Sequence, residues 1–141
     1  PVIILRYFSV YGPRQPQSGP YSLVLGIFLK RYLQSKPLEI HGDGKQRRDF
    51  IHVRDVAEAN IVAFEGKHSF GKFNVGSGTN LSIIDLANMI SSNQKHTKAR
   101  IADSKATLAD ISNTKQILGW SPKIGFDEGL KELLELAKIE N

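Results

Sequence analysis

The residues best suited to chemistry in this chain lie between Gly42 and Asp55, which reads Gly-Asp-Gly-Lys-Gln-Arg-Arg-Asp-Phe-Ile-His-Val-Arg-Asp. Lys45, Arg47, Arg48, His52 and Arg54 stand there beside Asp43, Asp49 and Asp55, in a run that otherwise reads as buried structure. Charge this dense next to a core is costly unless something pairs with it, so the stretch is a candidate anion site. Arginine suits that task, because its planar fork of donors stays charged and matches phosphate oxygens bidentately. Arg48 lies on a strand beside Phe50, and Arg100 in an extended piece between Ala99 and Ile101, with Asp103 three residues later. Two arginines from separate elements can clamp a diphosphate while a carboxylate accepts from ribose hydroxyls. The competing reading is that each arginine makes a structural salt bridge with a nearby aspartate, and spacing alone favours it.

Other chemistries have less support. His41, Asp43, Asp49, His52 and Asp55 resemble a ligand pool, but no pair has the helical spacing of a zinc site. No Gly-x-Ser-x-Gly elbow occurs. Gly76-Ser77-Gly78 follows a strand and precedes a helix, yet Leu81 stands where a dinucleotide fingerprint needs its third glycine. A tight turn with helix-capping chemistry is the preferred reading there. There are no cysteines, which excludes disulfides and thiolate-ligated zinc and is compatible with the expected cytoplasmic location. The net charge of +5 is scattered rather than blocked, so no nucleic-acid partner is expected. No apolar run approaches the ~20 residues that span a bilayer, so no membrane partner is expected either.

The elements that must position these groups follow from periodicity. Val2 to Leu5 is a continuous apolar run, suited to a parallel strand covered on both faces. With no initiator Met before it, the run is expected to be the last part of a larger α/β domain. Leu25, Phe28, Leu29 and Tyr32 give a helix over Tyr21 to Gln34, which Lys36-Pro37 ends. Leu38 to His41 and Arg48 to Ile51 read as strands around a turn at Gly42 to Lys45. Asp55 to Glu65 reads as a helix with Val56, Ala59 and Ala63 inward and Gly66 as its stop. Lys72 to Val75 is a strand, and Ser82 to Asp85 a capping box that opens a helix through Leu86, Met89 and Ile90. A polar loop is expected over Ser91 to Lys98, and a short helix after Ser112 closed by Gly119. Asp127 is expected to cap a last helix carrying Leu130, Leu133, Leu134 and Ala137 on one face.

In order, Leu5-Arg6-Tyr7-Phe8-Ser9-Val10-Tyr11-Gly12-Pro13, Ile40 to Gly44, Gln46 to Ala57, Phe73 to Gly78, Arg100 with Asp103, Ala109 to Ser112 and Leu118 to Lys123 form an ordered set of motifs. In order and spacing this set resembles the C-terminal part of the extended short-chain dehydrogenase/reductases, the NAD-dependent nucleotide-sugar epimerases and dehydratases. The implied fold is α/β, with the last Rossmann strands followed by a small mixed substrate-binding subdomain, so that residues 1–141 form one substrate-binding part. The resemblance implies that Arg48 and Arg100 contact the diphosphate of a UDP- or dTDP-sugar and that Asp103 contacts its ribose. Backbone groups of Glu39 to His41 are implied to hold the base, and Val24 to lie near a phosphate. Tyr7 and Phe8 are implied to lie near the nicotinamide of NAD. Ser9 stands where the family has a substrate-contacting Asn, which shortens the reach, and Ala102 stands where it has Gly.

The glycine-rich NAD motif and the catalytic Tyr-x-x-x-Lys are expected upstream of Pro1 rather than within the chain. The implied function is therefore the nucleotide-sugar-binding portion of a 4-epimerase or 4,6-dehydratase, not catalytic by itself and without tight NAD binding. The alternative is a non-enzymatic module with residual nucleotide-sugar affinity that pairs as a homodimer through the strand edges of Val2 to Leu5.

Overall fold

The computed structural model describes residues 2–101 and 103–139, so Pro1 and Ala102 lie outside the described residues. The apolar run forms strand β1 (Val2–Tyr7), continued after Phe8 by β2 (Ser9–Tyr11). Helix α1 (Val24–Leu33) leads to β3 (Leu38–His41), then β4 (Arg47–Arg48) and β5 (Phe50–His52). Helix α2 (Val53–Glu65), β6 (Phe70–Val75), β7 (Leu81–Ser82), α3 (Ile83–Ile90) and β8 (Gln94–Thr97) follow. A π-helical turn (Thr114–Leu118) and α4 (Phe126–Ile139) complete the α/β fold. No helix among the described residues is long and apolar enough to cross a membrane.

Three pairings are parallel: β1 with β6, β2 with β5, and β3 with β8. The pair β4 with β7 is antiparallel. Helix α2 covers one face of the first two pairs, burying Val56, Ala59 and Ala63 against Ile51, Phe73, Val75 and Trp120, with Ile3 and Leu5 packed on the rim. A second core encloses β3, where Leu38 and Ile40 are buried among Leu25 and Phe28 of α1, Leu86 of α3 and Leu133 of α4.

Several expectations are corrected. The strand over Val2 to Leu5 is parallel but is not covered on both faces, since Val2 is 60% and Ile4 44% exposed. Alternate residues of a strand point to opposite faces, and only the α2 side is filled. The strand expected over Arg48 to Ile51 breaks at Asp49, because β4 and β5 pair with different partners on either side of it. Helix α1 begins at Val24 rather than Tyr21, with no side-chain cap at Leu23. The loop expected over Ser91 to Lys98 contains β8, a polar strand specified by its pairing with β3. Arg100, expected in an extended piece, lies outside any strand and just before a turn at Ile101. Asp127 sits inside the first turn of α4, favourable to its dipole, rather than at the cap.

Candidate functional site

Asp49, the break between β4 and β5, fixes the local geometry. Its side chain is buried, and Oδ1 accepts from the backbone N–H and hydroxyl of Ser77 at 2.7 and 2.8 Å. Oδ2 accepts from the N–H groups of Gly78 and Ala109 at 3.1 and 2.9 Å. Four donors satisfy a buried carboxylate that would otherwise be very costly. They also tie the loop after β6 and the chain at Ala109 to the end of β4. The turn entering β4 is similarly constrained, since Gly44 has φ +73° and a Cβ there would meet Ile40 and Ile84 at 2.8 and 2.9 Å.

Beside this anchor lies a cavity of about 240 Å³. Ser9 from β2, Val24 from α1, and Glu39 and His41 from β3 line it. So do Arg48 from β4, and Arg100 and Asp103 from the segment after β8. All seven residues proposed as substrate contacts therefore share one wall or another of a single cavity. Phe28, Phe50 and Ile83 give it an apolar side.

The charges in it are unevenly satisfied. Arg48 pairs with Asp103 through Nη2, while its Nη1 donates to the carbonyls of Ser104 and Arg47 at 2.7 and 2.8 Å. Glu39 is held by Arg31 at 3.1 Å and Lys95 at 2.9 Å, and these contacts, led by the Lys95 hydrogen bond, lower its pKa. Among the described residues Arg100 has no ion pair. The structural salt-bridge reading thus fits Arg48 and not Arg100.

Strand β3 presents a usable edge. The N–H of Leu38 donates to Asn93 at 2.8 Å and that of Gly42 to Thr97 at 2.9 Å, so these residues bond towards β8. By the alternation of a ladder, the backbone groups of Glu39 and His41 face the other way, where the described residues add no further strand. Gln46 Nε2 donates to the His41 carbonyl at 3.1 Å, occupying one acceptor there.

Two polar lining residues, Ser22 and Gln46, were not among the expected contacts. Gln46 opens the motif that runs to Ala57 but was given no role of its own. Ser22 precedes α1 without capping it, and its buried hydroxyl has no partner among the described residues. Nothing in its sequence context distinguishes it from other loop serines.

The model of the NAD dependent epimerase/dehydratase family matches residues 1–76, more than half of the chain. The chain belongs to that family. It is 33% identical to a UDP-glucuronate 4-epimerase of Thermodesulfobacterium geofontis, over 97% of this chain and 43% of that protein. It is also 33% identical to a UDP-N-acetyl-alpha-D-glucosaminuronate decarboxylase of Bacillus cytotoxicus, over 100% of this chain and 48% of that one. A UDP-glucuronic acid 4-epimerase from Bacillus cereus, solved in complex with UDP-glucuronic acid and NAD, superposes with a TM-score of 0.89 at 34% identity. That match covers all of this chain and 46% of the solved one. The chain thus spans about half the length of the proteins it matches.

Membership in the epimerase/dehydratase family raises the question of where NAD would sit. Gly76-Ser77-Gly78, the nearest thing to a phosphate loop, already gives two of its N–H groups to Asp49. These residues do not fit a dinucleotide phosphate, since a buried carboxylate occupies the place of the anion. Tyr7 and Phe8 lie outside that cavity, in a shallow depression that meets it at Ser9 and Leu23. The Tyr7 hydroxyl donates to Asn60 on α2 at 2.8 Å.

The chain does contain one Tyr-x-x-x-Lys spacing, Tyr32 to Lys36, contrary to the sequence expectation. Tyr32 packs on the core at the end of α1, and Lys36 lies beyond that helix. The two therefore do not share a helical face, and neither lines the cavity.

His52, Arg54 and Asp55 act as framework. His52 Nδ1 accepts the Arg54 N–H at 3.2 Å, capping α2. Asp55 accepts the N–H groups of Lys123 and Ile124, both at 3.1 Å. Burial and then the Arg54 charge push the His52 pKa down, against the opposing pull of Glu132, Asp55 and Glu128.

Proposed function

We propose that this chain forms the nucleotide-sugar site of an NAD-dependent nucleotide-sugar epimerase/dehydratase, with a UDP- or dTDP-sugar as its ligand. The observation that carries the reading is the convergence of Ser9, Val24, Glu39, His41, Arg48, Arg100 and Asp103 on one cavity in which Arg100 has no ion pair among the described residues. Arg100 and the unused donors of Arg48 face the diphosphate, because a fixed guanidinium fork matches phosphate oxygens. The free carboxylate oxygen of Asp103 accepts from the ribose. The outward edge of β3 pairs with the base through Glu39 and His41. Ser9, where the cavity meets the depression holding Tyr7 and Phe8, marks the sugar end, nearest the nicotinamide.

In the longer enzyme NAD supplies hydride acceptance at the sugar, as the complex of the Bacillus cereus relative supports. Epimerisation, 4,6-dehydration and the decarboxylation named for one relative are the candidate reactions. Each needs a proton acceptor at the sugar, and the lining groups able to take a proton, Glu39, His41 and Asp103, serve the base and the ribose instead. The chain alone therefore binds without turnover, and binds NAD weakly. Titration calorimetry tests this: saturable heat is expected with UDP and none with NAD over the same range. Tight NAD binding, or no binding of UDP, would overturn the reading.

One observation favours a second reading, a self-associating module. β1 bonds only to β6 among the described residues, and Val2 and Ile4 beside its free edge are exposed. Such an edge invites pairing with a second copy. Sizing chromatography at several concentrations decides it: a concentration-dependent dimer supports the module, and a monomer throughout removes it.

A further inference from the structure

We infer that Arg48 and Asp103 work as one preassembled unit, in which Arg48 is the positioning residue for Asp103 and the chain that follows it to Thr107. The inference rests on the nucleotide-site reading above, and changes what Arg48 does within it. The segment is stitched to β4 by backbone bonds: the Arg47 N–H donates to Lys105 at 2.9 Å and the Thr107 N–H to Arg47 at 3.0 Å. Arg48 adds the side-chain stitch at Ser104 and Asp103. Both Nη1 protons are committed to carbonyls, and Nη2 is committed in part to Asp103.

Of the five guanidinium donors, one on Nη2 and that on Nε have no partner among the described residues. The pair is also shielded, with the two side chains 18% and 30% exposed. Arg48 is therefore not a mobile cation waiting for phosphate. It is a bracket that sets the acceptor Asp103 and the chain from Ser104 to Thr107 at fixed positions. Holding binding groups in place before the ligand arrives lowers the cost of ordering them on binding. Lysine cannot replace this bracket, since a point charge cannot span two carbonyls and a carboxylate in one plane.

Hydrogen exchange and UDP calorimetry on the wild type, Arg48→Lys, Asp103→Asn and the double variant test the unit. Each single variant is expected to speed exchange at the Arg47 and Thr107 amides by about tenfold or more, with no further increase in the double. The Phe8 and Ile84 amides, bonded to Val75 and Gly44, stay slow and show that the fold persists. UDP affinity falls about tenfold in each single variant and no further in the double, the signature of coupled residues. Unchanged exchange in the single variants, or affinity losses that multiply in the double, would overturn the inference. Failure of the wild type to bind UDP would remove the nucleotide reading, while the exchange data would still decide whether the two residues act as one.

Discussion

Ser77 donates both its backbone N–H and its hydroxyl to Oδ1 of Asp49, at 2.7 and 2.8 Å. A loop whose glycines resemble a phosphate cradle is thus filled from within by a carboxylate. Asp49→Ala removes the acceptor for four donors at once, and a cost of at least about 3 kcal/mol is expected. Asp49→Asn is expected to cost less, but still to destabilise, because its amide presents donors to donors. Urea unfolding with unchanged m-value measures both. A midpoint for Asp49→Ala within error of the wild type would show that the cluster contributes little.

Tyr11 and Gly129 form a second tight contact. A Cβ on Gly129 would lie 2.2 Å from the Tyr11 hydroxyl, which is buried and unpartnered among the described residues. Helix propensity alone would make Gly129→Ala stabilising by about 1 kcal/mol. The clash reverses the sign, and destabilisation by about 1–3 kcal/mol is expected. Tyr11→Phe removes the orphaned hydroxyl and is expected to be neutral or stabilising. Thermal melts of the single and double variants read the coupling: Tyr11→Phe should recover part of the loss, and strictly additive effects would contradict the contact.

His52 makes stability depend on pH. Burial holds its pKa below the ordinary 6.5, so the unfolded chain takes up a proton at a pH where the folded chain does not. Acidification below 6.5 therefore pulls the equilibrium towards unfolding, and the loss is complete once pH passes below the folded pKa. Urea midpoints between about pH 7.5 and about pH 5.5 should fall in the wild type. They should fall less in His52→Asn, which keeps a side-chain cap for α2. Equal slopes in the two proteins would assign the pH dependence elsewhere.

Arg100 separates binding from stability. With no ion pair among the described residues, Arg100→Ala is expected to leave the melting temperature unchanged and to weaken UDP about tenfold. A lowered melting temperature with unaltered affinity would return Arg100 to a structural role.

Much of this arrangement was legible in the sequence, and the failures share a cause. Periodicity located α1, α2 and α4 because their buried residues recur at helical spacing. Gly119 ends the turn before it in the left-handed region, at φ +69°, as its position implied. Ser82 does accept the Asp85 N–H at 3.1 Å, although the Asp85 carboxylate takes the Ser82 hydroxyl rather than completing a reciprocal box. What stayed hidden depends on partners distant in sequence. β8 is polar and becomes a strand only beside β3. The break at Asp49 exists because Ser77, Gly78 and Ala109 reach it from other segments. The site residues were named from motif resemblance, and periodicity gave no sign that Arg48 would be committed to Asp103 while Arg100 has no ion pair among the described residues.

The nucleotide site itself is tested most directly by titrating UDP into the isotope-labelled chain and following each amide. Saturable shifts are expected at Ser9, Val24, Glu39, His41, Arg48 and Arg100, with the Gly76 to Gly78 amides unmoved. Absence of saturable shifts at those six, or shifts centred on Gly76 to Gly78, would contradict it.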